Sequence, residues 1–147
     1  DAMRAVATVT RSVPSLLLAA CTSTEECQRA RYDGADGVCV AAADQATWTT
    51  LAKAAQSLHM LALARVTTAD AAADAASWGA RAMVMVASED EVTRASARLG
   101  NIVLVAVIAD ADAATLRRLR GVVDAAVVRP AAFAAGAFGE LLDALDG

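Results

Sequence analysis

Apolar runs of strand length alternate with helix-like stretches along almost the whole chain. The runs read "SLLLAAC" (15–21), "DGVCVAA" (36–42), "LALARVT" (61–67), "RAMVMVA" (81–87), "NIVLVAVIA" (101–109) and "DAAVVRP" (124–130). Most are apolar throughout and do not alternate, which is the pattern of strands covered on both faces. Between them lie "STEECQRARYDG", "DQATWTTLAKAAQSLHM", "ADAAADAASWG", "SEDEVTRASARLG" and "DADAATLRRLRG". Most of these stretches start on Ser, Thr or Asp, carry acidic residues early and end near Gly, as capped helices do. Further helical stretches open the chain ("AMRAVATVTRS", 2–12) and close it ("AAGAFGELLDALDG", 134–147).

Parallel strands need a crossover between them, so this rhythm predicts an α/β fold: a parallel (βα) repeat array of about six strands. The array is either a partial, TIM-barrel-like sheet or an open doubly wound one. Units recur about every 20 to 25 residues without clear residue-level identity. No linker composition interrupts them, and a single domain over residues 1–147 is expected.

Composition narrows the classes. The chain is 57% hydrophobic, yet no apolar run approaches the roughly 18 residues of a membrane helix, so no span is expected. The expected location is the cytoplasm, or an organelle after removal of a presequence. A net charge of −4, with acidic residues dispersed among arginines, argues against a nucleic-acid partner. Cys21, Cys27 and Cys39 lack metal-ligand spacing and read as buried thiols. His59 is the single histidine and Lys53 the single lysine, which excludes histidine triads and multi-histidine metal sites. No phosphate-cradling glycine motif is present, so neither a cofactor nor a metal is expected.

In either architecture, chemistry collects at the carboxyl ends of the strands. Those positions are Cys21-Thr22-Ser23, Ala41 to Asp44, Thr67-Thr68, Ser88-Glu89-Asp90, Asp110-Ala111-Asp112 and Arg129-Pro130. Most of their hydroxyls and carboxylates double as helix N-caps. The candidate binding residues for a small anionic ligand are Arg65 and Arg129, which supply charge, with Ser88 and Asp110 beside them. Arg65 reads equally well as one half of an ion pair with Asp110.

"VPSLLLAACTSTEECQRARYDGADGVCVAAAD", "LAKAAQSLHMLALARVTTADAAADAASWGARAMVMVA" and "VVDAAVVRPAAFAAGAFGELLDAL" together resemble the later units of indole-3-glycerol-phosphate synthase, a (βα)8 barrel. The family's chemistry does not follow the pattern. Leu18, Ala19 and Ala20 stand where the resemblance puts a lysine-bearing turn, and Arg65 where it puts a catalytic glutamate. Val86-Ala87-Ser88 replaces an Asn-Asn-Arg, Ala106 to Ala109 a Ser-Glu-Ser-Gly, and Arg129-Pro130-Ala131 a Gly-Glu-Ser. The resemblance therefore implies a non-catalytic structural or regulatory subunit. The alternative is a binding protein or enzyme for a phosphorylated or carboxylated ligand, a divergent synthase included. Six strands would leave unpaired edges, so a second copy or another protein partner is expected to cover them.

Overall fold

The computed structural model describes residues 16–108 and 112–128. The helical stretches expected at 2–12 and 134–147, and the candidates Asp110 and Arg129, lie outside these residues. The described elements are β1 (Leu18–Cys21), α1 (Thr24–Tyr32), β2 (Gly37–Ala41), α2 (Gln45–Ser57), β3 (Leu61–Val66) and α3 (Ala69–Ser77). They continue with β4 (Ala82–Val86), α4 (Glu89–Leu99), β5 (Val103–Ile108), α5 (Ala113–Leu119) and β6 (Ala125–Val128). Each strand falls inside the apolar run that predicted it.

The six strands form one sheet in the order β1-β2-β3-β4-β5-β6, and every neighbouring pair is parallel. One face of that sheet carries the helices. Ala64 and Val66 of β3, Met83 and Met85 of β4, and Leu104 and Ala106 of β5 share a core with the helix residues. These strand residues are in lateral register across β3, β4 and β5. Sequential order with all the described helices on one side is the singly wound arrangement of a barrel wall. It removes the open doubly wound alternative, in which helices cover both faces.

The core uses large strand side chains against small helix side chains. Met83 and Met85 are fully buried, and burial of each contributes roughly 1.5–3 kcal/mol. On α3 the buried residues are Ala69, Ala72 and Ala75, a stripe at three-residue spacing on the face turned to the sheet. Trp48 of α2 is also buried, and Trp78 packs at the edge of the same core.

Residue-level repetition does exist, in the turns that enter the strands. The N–H of Ala35 donates to the Ala30 carbonyl (2.9 Å), Met60 to Ala55 (2.9 Å) and Ala80 to Ala75 (3.0 Å). Each closes a helix end whose penultimate turn residue has positive φ: Gly34 at 99°, His59 at 55° and Gly79 at 94°. The arrangement is a Schellman cap, with an alanine four residues before the left-handed position. His59 occupies the place that glycine takes in the neighbouring units.

Two aspartates pin strands at the amino ends. Asp36 donates its N–H to the Leu17 carbonyl (2.9 Å), while its carboxylate accepts the Leu17 N–H (2.9 Å). Asp124 does the same to Leu104, at 2.9 Å and 2.8 Å.

Candidate functional site

Because all six strands run parallel, every turn that follows a strand opens at one rim. That rim carries Thr22-Ser23 after β1, Ala42 to Asp44 after β2, Thr67-Thr68 after β3, Ala87-Ser88 after β4, and Asp112 before α5.

Most of these polar groups cap helices. The Ser23 hydroxyl accepts from Glu26 N–H (3.2 Å), the Asp44 carboxylate from Thr47 N–H (2.8 Å), the Thr68 hydroxyl from Ala71 N–H (3.1 Å) and the Asp112 carboxylate from Thr115 N–H (2.7 Å). Glu26 turns back to accept from both the backbone N–H (2.6 Å) and the hydroxyl (2.8 Å) of Thr22. Donation from the Thr22 backbone holds the Glu26 carboxyl below the usual carboxylate range, and donation from Thr47 and Thr115 does the same for Asp44 and Asp112. Ser88 differs: it is the N-cap of α4, but its hydroxyl makes no capping bond.

Carboxylates from neighbouring units close the rim further. Glu91 accepts the Ala69 N–H at 2.7 Å. Arg118 of α5 forms a two-pronged pair with Glu89 of α4, at 2.6 and 2.8 Å, and its hydrogen bonds hold Glu89 below the usual range. Arg98 joins α4 to Asp70 of α3 at 2.7 Å. The "RRLR" run, which reads in sequence as a solvated helix end, thus supplies an inter-helix strut through Arg118. A shallow cleft of about 430 Å³ opens between the amino ends of α1 and α2, lined by Thr22, Ser23, Thr24, Thr47, Thr50 and Leu51.

Arg65 lies apart from this capping network. Its neighbours Ala64 and Val66 are buried in the core at 0% and 3% exposure, and Arg65 between them is exposed, so it projects from the face opposite the helices. Ala41 pairs with it on β2 and Val84 on β4. The Cys39 thiol, on the same face, is pushed up by burial, and the Arg65 charge opposes that rise. Cys21 and Cys27 lie on the helix side, where burial raises both thiols and drives Cys21 up to about 12. None of the three cysteines forms a disulfide.

Of the four candidate binding residues, two are described. Arg65 and Ser88 belong to adjacent strand-turn segments at the same end of the sheet. Ser88 stands four residues beyond Val84, the lateral partner of Arg65, past the end of β4. The sequence carries no sign of the pairing of Glu91 or Arg118, whose partners are 22 and 29 residues away; charge spacing within one helix is blind to such pairs.

Among the described residues, no helix is long and apolar enough to cross a membrane. No protein-family model matches the chain, and no curated protein matches it. Among solved structures it is similar to a thiamine phosphate pyrophosphorylase from Pyrococcus furiosus, with a TM-score of 0.72 and 18% identity over 97% of this chain and 73% of that chain. The likeness carries the fold: a (βα) sheet of the barrel type. It overturns the resemblance to indole-3-glycerol-phosphate synthase, because the neighbour is a different (βα) enzyme. The features behind that resemblance, apolar strands at fixed unit length with "GAD" and "GAR" turns, belong to the architecture. The reading of a non-catalytic subunit falls with it. Arg65 marks a lost catalytic acid only if that family's chemistry is the reference.

Proposed function

We propose that the chain is an enzyme acting at the carboxyl-terminal rim of its sheet on a small phosphate- or pyrophosphate-bearing substrate. The observation that carries this reading is the parallel, singly wound sheet, which delivers every described strand-to-helix turn to one rim. In (βα) barrels that rim is where catalytic groups assemble. The name of the structural neighbour, a pyrophosphorylase of thiamine phosphate, supplies the substrate class. Arg65 and Ser88 are the described candidates for substrate binding. Arg129 and Asp110, which follow the β6 and β5 stretches in sequence, complete the set.

The test is direct. Purified protein is incubated with thiamine phosphate and inorganic pyrophosphate, and loss of thiamine phosphate is followed by chromatography. Loss that depends on pyrophosphate and scales with protein supports the reading. No turnover of thiamine phosphate, or of a panel of other phosphate monoesters, overturns it.

A further inference from the structure

The face of the sheet that carries none of the described helices is apolar across its width. In the layer of Arg65, lateral register runs from Ala41 through Arg65 and Val84 to Val105 and Ala125. One layer nearer the rim lie Val86, Val107 and Val127, and Val127 is 48% exposed. Arg65 is the single charged side chain among the described strand residues of this face.

A guanidinium in such surroundings ordinarily has a carboxylate beside it. The ion pairs of the described residues, Arg29 with Asp33, Arg94 with Glu91, Arg98 with Asp70 and Arg118 with Glu89, are all on or next to helices. No described carboxylate pairs with Arg65. Its neighbour Ala41 is small and exposed, which leaves room beside the guanidinium on the β2 side. The planar fork of Arg binds phosphate through two hydrogen bonds.

We infer that Arg65 is the anion-binding group of a site on this face, and that its ligand joins a phosphate to an apolar body resting on Val86 and Val107. This deepens the proposed function, on which it rests, by naming what the substrate must contain. A bare anion would use only Arg65, whereas an aryl phosphate would also cover valine side chains. The inference therefore carries an order of affinities as well as a residue.

The experiment measures binding, not turnover, so the two readings fail separately. Phenyl phosphate and inorganic phosphate are titrated by calorimetry into the full chain, its Arg65→Ala variant and its Arg65→Lys variant. Phenyl phosphate is expected to bind more tightly than inorganic phosphate. Arg65→Ala should weaken it by about tenfold or more, the scale of one charge-assisted pair, and Arg65→Lys should restore part of the loss. The thermal midpoint should hold in both variants, because the side chain is exposed and has no described ion-pair partner. Unchanged phenyl phosphate binding in Arg65→Ala, or equal affinity for the two probes, overturns the inference while leaving the enzymatic reading standing. Binding that depends on Arg65 without turnover overturns the enzymatic reading alone.

Discussion

The Glu91 carboxylate, carried by α4, accepts the backbone N–H of Ala69 at the start of α3, at 2.7 Å. A side chain of one unit thus closes the helix of the unit before it, on the end where the peptide dipoles favour negative charge. The same carboxylate also pairs with Arg94 one turn along its own helix.

Removing that acceptor leaves an orphaned donor in a part-buried place. Glu91→Ala is expected to cost about 1–2 kcal/mol, and Glu91→Gln less, because its amide oxygen can still accept. Urea unfolding of both variants checks the order; equal losses would contradict a hydrogen-bonding role.

Gly37 admits no side chain without movement. A Cβ there would meet Leu18 Cδ2 at 2.8 Å and the Cβ and carbonyl oxygen of Leu61 at 3.0 Å. Gly37→Ala is therefore expected to destabilise by about 1–3 kcal/mol, the usual scale of overpacking. Amide exchange should quicken first across β1, which pairs with Gly37 through Leu18.

His59 holds φ at 55° where the equivalent turns carry glycine. A side chain in the left-handed region costs of order 1 kcal/mol, offset in part by the greater freedom of glycine in the unfolded chain. His59→Gly should raise the urea midpoint, with a gain of up to about 1 kcal/mol, and His59→Val should lower it. A midpoint unmoved by either change would show that the turn relaxes.

Asp44, Asp112 and Glu26 titrate below their ordinary range because backbone amides donate to their ionised forms. Depressed folded values mean that their contribution is complete above the unfolded carboxylate range, near pH 4. It is lost as pH falls through the lower folded values. The thermal midpoint should thus hold from neutral pH to about pH 5 and fall in more acid solution. In the Asp44→Asn, Asp112→Asn double variant the acid limb should flatten, since asparagine still caps but does not titrate. An identical limb in that variant would assign the acid loss to other groups.

The strands were legible because burial on both faces imposes unbroken apolar runs, and "RAMVMVA" can be little else. The side of the sheet on which the helices lie was not legible. Runs apolar on both faces hide the parity that places Ala64, Met83 and Leu104 on one side, and that parity separates a barrel wall from a doubly wound sheet. The family assignment failed for a related reason: unit length and turn composition follow from the (βα) crossover, whatever reaction it supports. Of the site, Arg65 was visible as a charge inside a strand. Glu91 was not, because its donor is a backbone amide in another unit.

The two aspartate clamps fall at the two ends of the sheet: Asp36 holds Leu17, at the entry to β1, and Asp124 holds Leu104 against the start of β6. These outermost strands have four residues each and, among the described strands, a single neighbour, so few ladder bonds resist sliding. Slippage by one residue would exchange the two faces of such a strand and present its core side chains to water. Two short side chains at the amino ends thereby decide which face of each border strand is turned inward.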